Sequence, residues 1–96
     1  MAKGYWITFY HHIANPAVLT EYVKLATPVV QAHRGRFLSR GMPVKTYEAG
    51  LPERSVVVEF DSVQDAVAAY ESPEYKKAIE VLGDAKRDVR ILEGIS

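Results

Sequence analysis

Two side chains near the middle of this sequence are of types that move protons in enzymes. His33 stands at the predicted end of a helix, where the helix dipole favours a charged imidazole, and imidazole works as an acid or a base near neutral pH. Glu59 lies between Val58 and Phe60 in an apolar segment, where a carboxylate needs a partner or water. His33 and Glu59 are therefore the catalytic candidates, and Glu59 would have a raised pKa if it lay in a pocket.

Both candidates also have an ordinary structural explanation. His33 could cap the carboxyl end of its helix or hydrogen-bond the loop that follows. Glu59 could form a cross-strand salt bridge with an arginine of a neighbouring strand, namely Arg36, Arg40 or Arg54. Such local roles are common for these residue types, so the sequence favours them over catalysis and leaves both open.

Four further side chains suit a ligand site between helices and sheet. Tyr22 and Tyr70 lie on predicted buried helix faces, and a tyrosine offers an apolar ring with a polar tip. Arg36 and Phe37 begin the strand after His33, so a cation and an aromatic ring could flank the imidazole. Such a cluster suits an anionic aromatic ligand, held by charge-assisted hydrogen bonds and by apolar burial. The alternative is that the tyrosines are core residues with satisfied hydroxyls.

The sequence offers little for a metal or a cofactor. It contains no cysteine, which excludes disulfides, thiolate nucleophiles and thiolate metal ligands. His11 and His12 are adjacent, so on a strand they point to opposite faces and do not easily share a metal ion. The glycines form neither a GxGxxG nor a Walker pattern. We therefore expect no metal and no cofactor.

Composition limits the size of the fold and the kinds of partner. The 96 residues, 48% apolar and 25% charged, suit one globular domain over residues 1–96. Basic and acidic residues both number 12, and this balance argues against nucleic acid or a membrane surface as a partner. The first residues lack the features of a signal peptide, and no apolar stretch approaches the length of a membrane span. We expect a cytoplasmic protein.

Alternating hydrophobicity and helical periodicity predict four strands and two helical regions. The strands are predicted at Tyr5–Ile13, Arg36–Arg40, Arg54–Phe60 and Val89–Leu92. Asn15 and Pro16 begin the first helix, in which Pro28 should produce a kink or a division. Ser72 and Pro73 divide the second helical region, which Gly83 ends.

This order predicts an α+β fold with a ferredoxin-like βαββαβ layout, a four-stranded antiparallel sheet with helices on one face. The first helix should bury one face, formed by Val18, Tyr22, Leu25 and Val29. The other face of the sheet still carries apolar side chains, and an exposed apolar face of that extent usually marks an interface. A second copy of the sheet is the simplest cover, so we expect a homodimer.

Short segments along nearly the whole chain, each weak alone, are fairly specific in their order and spacing. They are Ala32–Phe37, Arg40-Gly41, Arg54, Val57–Phe60, Ala66, Ser72–Tyr75 and Leu92–Gly94. With them the chain resembles the domain-of-unknown-function family DUF1330, in the dimeric α+β barrel superfamily. The resemblance implies a dimeric α+β barrel and assigns no reaction.

Members often carry an arginine about two turns after the Ser-Pro-Glu-Tyr segment. Here Leu82-Gly83 occupies that region and Arg87 comes later, so a ligand site that used this arginine would be altered.

Two classes of function remain. The first is a non-catalytic module with a pocket between sheet and helices for a small aromatic or anionic ligand. The second is a small enzyme, resembling cofactor-independent monooxygenases or isomerases of similar fold, with His33 or Glu59 as acid or base. A cavity with convergent histidine and glutamate would favour the enzyme.

Overall fold

Four strands and three helices follow one another in the computed structural model, which describes residues 2–13 and 15–95. The strands are β1 (Gly4–His12), β2 (Arg36–Gly41), β3 (Ser55–Phe60) and β4 (Lys86–Glu93). The helices are α1 (Pro16–Ala32), α2 (Val63–Glu71) and α3 (Pro73–Leu82). The strands form one antiparallel sheet in the order β2-β3-β1-β4. This is the predicted ferredoxin-like topology, which the structure confirms.

A side-chain oxygen caps the amino-terminal end of each helix. Asn15 accepts a hydrogen bond from the amide of Ala17, and Ser62 accepts one from the amide of Asp65. Ser72 accepts one from the amide of Tyr75 and separates α2 from α3, as the sequence predicts. Each bond satisfies a first-turn amide that has no partner within the helix.

The first helix runs through Pro28 without interruption, so the predicted division of α1 does not occur. Proline removes one helical hydrogen bond, but buried residues on both sides of it hold the two halves against the sheet. Those residues are Tyr22, Ala26, Val29 and Val30. The predicted inclusion of Leu25 was wrong, because this side chain is 46% exposed and Ala26 lies in the core instead.

The core lies between the helices and one face of the sheet. Along β1 and β3 every second side chain is buried there: Trp6, Thr8, Tyr10, Val56, Val58 and Phe60. Phe60 is fully buried and stacks on Trp6 with 6.0 Å between ring centroids. The strict alternation follows from the two-residue period of a strand.

The other face of the sheet has no helix over it, and we name it the open face. Its centre is apolar, because Tyr5, Ile7 and Phe9 of β1 lie beside Val57 of β3 and Leu92 of β4. These side chains are only half-buried or exposed within one chain. Ion pairs lie toward the rim of this face, between Arg36 and Glu59 and between Asp88 and Arg90.

Candidate functional site

A cleft opens between α1 and the buried face of the sheet, at the end of the core away from α2. The helix side is formed by Tyr22, Val23, Ala26, Thr27 and Val30, and the sheet side by Trp6, Thr8, Tyr10, Val56 and Val58. Phe37, Arg40 and Arg54 complete the lining. The walls are mainly apolar, with the hydroxyls and two guanidinium groups as the polar positions. We name this space the α1 cleft.

The free volume of the α1 cleft is small. It measures about 30 Å³, on a scale by which one water molecule needs about 10–15 Å³. Arg40 is exposed, and its guanidinium carbon lies 4.6 Å from the centroid of the Phe37 ring. A long exposed side chain changes rotamer quickly, so movement of Arg40 would enlarge the space. The resting cleft therefore has room for about two or three water molecules, and a larger ligand requires Arg40 to move.

Arg54 is the most unusual side chain of the cleft. Its Nε atom is buried and, within the described residues, forms no hydrogen bond. Its guanidinium carbon lies 5.9 Å from the centroid of the Tyr10 ring. Among residues 2–13 and 15–95, no carboxylate forms an ion pair with Arg54 or with Arg40. Buried polar atoms are ordinarily hydrogen-bonded, so Nε of Arg54 is a donor that the described residues leave unpaired.

A cluster of three phenols and one guanidinium lies beside the cleft. The hydroxyls of Tyr22 and Tyr75 are in direct contact, and Nη1 of Arg87 donates to both oxygens at 3.1 Å. The Arg87 guanidinium also lies 5.6 Å from the Tyr10 ring centroid. Burial raises the pKa of Tyr10, Tyr22 and Tyr75 above the ordinary tyrosine value. These phenols therefore remain neutral hydrogen-bond donors throughout the physiological range.

The structure brings only two of the sequence-predicted site residues together at the α1 cleft. Tyr22 and Phe37 both line it. Tyr70 packs elsewhere in the core, 5.5 Å from Trp6 and 5.2 Å from Tyr75 between ring centroids. Its placement matches the core alternative for this tyrosine.

His33 lies outside the α1 cleft, at the carboxyl end of α1. Its Nδ1 atom is 2.9 Å from the carbonyl oxygen of Val29. It borders a shallow recess with Pro28, Ala32 and Glu74, on the outer side of the helices. The contact with Val29 is the helix-end role that the sequence offered as an alternative to catalysis.

Glu59 and Arg36 lie on the open face and bind each other. Arg36 donates to Oε1 of Glu59 at 3.0 Å, and the Tyr5 hydroxyl donates to Oε2 at 2.9 Å. The hydrogen bonds from Tyr5 and from Arg36 lower the pKa of Glu59. That direction is opposite to the raised pKa predicted for a base in a pocket. Since His33 lies on the helix side and Glu59 on the open face, the structure does not bring the two together.

Sequence reasoning named Arg40 and Arg54 as possible partners for Glu59 and as positions of the family resemblance, and it placed neither in a ligand site. Arg54 lies an even number of residues from Val56 and Phe60, and side chains that far apart along a strand share a face. This spacing could have placed Arg54 on the helix-covered face. No such signal existed for Arg40, because the pairing of β2 with β3 shifts by one residue between Phe37 and Ser39. This β-bulge puts both Phe37 and Arg40 on the cleft side.

The described part of the chain holds no cluster of three or more histidine, aspartate or glutamate side chains able to bind a metal ion. His11 contacts Glu53 at 2.9 Å through Nδ1, on the open-face side of the sheet. None of the described helices is both long and apolar enough to cross a membrane.

Residues 3–95 match the model of the family described as domain of unknown function DUF1330. The chain belongs to this family. The match covers nearly the whole sequence, and the segments that suggested the resemblance lie within it. No curated protein matches the sequence.

Solved structures of other proteins have the same fold at low sequence identity. A protein of unknown function from Rhodopseudomonas palustris is 15% identical, with a TM-score of 0.73 over 99% of this chain and 84% of that one. A dimeric, ferredoxin-like protein of unknown function from Bacteroides fragilis is 13% identical, with a TM-score of 0.62 over 95% of both chains. The hydroxynitrile lyase of Passiflora edulis is 13% identical, with a TM-score of 0.65 over 95% of this chain and 92% of that one. These likenesses establish the fold of the DUF1330 chain.

Proposed function

We propose that this DUF1330 protein binds a small organic anion in the α1 cleft, a carboxylate on a short apolar or aromatic body. The buried Nε atom of Arg54, which has no partner among the described residues, is the observation that carries this proposal. A carboxylate would accept from Arg54 through charge-assisted hydrogen bonds, which are stronger than neutral ones. Arg40 at the mouth adds a second positive charge.

The rest of the lining suits the apolar part of such a ligand. Val23, Ala26 and Val30 of α1 face Val56 and Val58 of β3 across the cleft. Small-molecule sites are typically apolar with a few well-placed polar groups, and the α1 cleft has this composition. Its small resting volume means that even a short carboxylate would have to displace Arg40 on entry.

The lining favours binding over acid–base catalysis. Within the described residues, the side chains that line the cleft include no aspartate, glutamate or histidine. An enzyme of the monooxygenase or isomerase type that used His33 or Glu59 is the alternative function. It would need a second substrate site, because His33 borders the outer recess and Glu59 lies on the open face. The lyase from Passiflora edulis has the same fold, so the fold itself is compatible with an enzyme.

Calorimetric titration with butyrate tests the binding function. We expect saturable binding of one butyrate per chain and much weaker binding of butyramide, which has the same size without the charge. Arg54→Met should weaken butyrate binding by about tenfold or more, the usual range for a lost hydrogen bond to a charged group.

The matched control is Arg34→Met. Arg34 is exposed and pairs with Asp61 and Asp65 away from the cleft, so the variant loses the same charge without touching the site. Equal affinities for butyrate and butyramide, or equal weakening in both variants, would contradict the proposal. Binding that responds to His33→Ala but not to Arg54→Met would support the alternative site.

We further propose that two copies of the chain associate through their open faces. Tyr5, Ile7, Phe9 and Val57 form an apolar centre that one chain leaves partly exposed. The rim charges are already paired within the chain, so a second copy would meet no uncompensated charge there. The dimeric state of the Bacteroides fragilis protein supports a dimer for this fold, and the choice of the open face rests on its apolar centre.

Light scattering tests the dimer, with about twice the chain mass of 10.8 kDa expected. Ile7→Glu would place a charge in the centre of the open face and should give a monomer. Gln64→Glu adds the same charge on the exposed surface of α2 and should leave the dimer intact. A monomeric parent protein at micromolar concentration would overturn this part of the proposal.

A further inference from the structure

The contact between Tyr22 and Tyr75 leaves one hydroxyl hydrogen without an acceptor. Two phenols in contact use one of their two hydroxyl hydrogens between them. Arg87 donates to both oxygens and, as a guanidinium, accepts nothing. In the described part of the chain, neither hydroxyl has a further hydrogen-bond partner. One of the two phenols therefore has an O–H group free to donate.

The surroundings decide which phenol has the free hydrogen. Tyr75 is fully buried and does not line the α1 cleft, so a free O–H there would be a buried donor without an acceptor. Tyr22 is a lining residue of the cleft, so a free O–H on Tyr22 is the arrangement in which a ligand or water could supply the acceptor. In this arrangement Tyr75 donates to Tyr22 and Tyr22 donates toward the cleft, and no buried donor is left without an acceptor. The charge of Arg87 on the Tyr22 oxygen polarises this hydroxyl and strengthens it as a donor.

The charged groups of the cleft are all donors. Neutral hydroxyls that both donate and accept belong to Thr8, Tyr10 and Thr27. Arg54 and Arg40 only donate, and the Tyr22 hydroxyl already accepts two hydrogen bonds. A ligand that matches this set carries oxygen acceptors in two places and no ammonium group. An amino acid is disfavoured, because no carboxylate or imidazole in the described lining would receive its ammonium group.

We propose that the α1 cleft selects short-chain keto acids, with the carboxylate on Arg54 and the keto oxygen on the Tyr22 hydroxyl. This selectivity rests on the proposed anion-binding function and assigns Tyr22 as its specificity-determining residue.

Matched acids test the selectivity. α-Ketobutyrate is compared with butyrate and with α-aminobutyrate, and levulinate with valerate, so that keto groups one and three carbons from the carboxylate are both sampled. At least one keto acid should bind about three- to tenfold more tightly than its parent acid, the usual range for one added hydrogen bond. α-Aminobutyrate should bind more weakly than butyrate.

Two phenylalanine variants separate the roles of the phenols. Tyr22→Phe should remove the keto preference, measured as the ratio of the affinity for each keto acid to the affinity for its parent acid, because the variant lacks the donating hydroxyl. Tyr75→Phe should retain the preference, because the Tyr22 hydrogen is free in either case. Circular dichroism of both variants establishes that they are folded before binding is compared.

The outcomes distinguish failure of this inference from failure of the binding function. If butyrate does not bind the parent protein, the binding function fails and the selectivity falls with it. If butyrate binds through Arg54 but neither keto acid gains, or the gain persists in Tyr22→Phe, only the inference is overturned. A preference that disappears in Tyr75→Phe would also overturn the hydrogen-bond direction on which it depends.

Discussion

At the scale of single residues, Arg54 has the character of a side chain kept for binding and not for stability. A buried donor without an acceptor lowers stability, commonly by about 1–3 kcal/mol. Arg54 lines the cleft, and its buried Nε atom has no hydrogen-bond acceptor among the described residues. Functional sites carry such costs where a ligand, an ion or an ordered water supplies the missing partner.

Replacement of Arg54 by methionine should therefore leave the melting temperature unchanged or raise it, even though binding is lost. Methionine fills a similar space and introduces no unsatisfied donor. Thermal unfolding followed by circular dichroism checks this. Arg36→Met serves as the contrast, because it breaks the contacts of Arg36 with Glu59 and Asp61 and should lower stability slightly. A large loss of stability in Arg54→Met would assign Arg54 a structural role.

The buried tyrosines give the protein a defined alkaline limit. Burial raises the pKa of Tyr10, Tyr22 and Tyr75 in the folded state above the ordinary value of 10.0. Unfolded chains lose these protons first as the pH rises. The stability from the neutral phenols is thus fully present below about pH 10 and decreases above it.

A phenolate absorbance titration should show at least three of the six tyrosines ionising above the ordinary range, together with the loss of secondary structure. Tyr75→Phe should shift the alkaline unfolding to higher pH, because one proton fewer is linked to unfolding. Ionisation of all six tyrosines near pH 10 in a still-folded protein would contradict the buried cluster.

At the scale of elements, β3 connects the core to the cleft. Phe60 lies at one end of this strand on Trp6, while Val56 and Val58 of the same face line the cleft. Phe60→Ala should reduce the free energy of unfolding by about 3–5 kcal/mol, because it leaves a cavity in the fully buried core. Chemical denaturation measures this, with Phe60→Leu as a control that retains most of the apolar volume. A loss below about 1 kcal/mol would show that this face is not the core.

Local sequence signals predicted these elements well, because they act over a few residues. Asn15, Ser62 and Ser72 have the oxygens that begin helices, and alternation separated the two faces of β1 and of β3. Both faces of β1 are apolar, so its pattern alone did not show which face the helices cover. At Pro28 the helix continues, so of the two predicted outcomes, a kink or a division, the division does not occur. The length of β4 was also underestimated, because Lys86, Arg87 and Asp88 do not alternate in hydrophobicity.

The candidate site was harder to predict than the fold, because it depends on contacts between distant segments. Tyr22 comes from α1, Tyr75 from α3 and Arg87 from β4, and nothing local indicates that their polar groups meet. His33 and Glu59 were singled out by residue type and by their places at a predicted helix end and in an apolar strand. The sequence did not locate the cleft, so their positions outside it became visible only in the structure.

At the scale of the whole molecule, the proposed dimer and the proposed site use opposite sides of the sheet. The open face carries Ile7 and Val57, whereas the α1 cleft lies on the helix side. Each chain therefore has a complete cleft. Monomeric Ile7→Glu should bind butyrate within about threefold of the parent affinity, because no hydrogen bond to the ligand is lost. Calorimetry on the fractionated monomer checks this, and a complete loss of binding would indicate a site that spans two chains.

The Nε–H group of Arg54 reports on the central claim most directly, and nitrogen–proton NMR observes such groups individually. The signal is assigned by its absence in Arg54→Lys. On titration with butyrate we predict that the Arg54 signal moves saturably and that its hydrogen exchange slows, since the group gains a carboxylate partner. Signals of Arg34 and Arg90, which already have carboxylate partners, should stay in place. An Arg54 signal that does not respond to butyrate, while the protein remains folded, would contradict the anion-binding cleft.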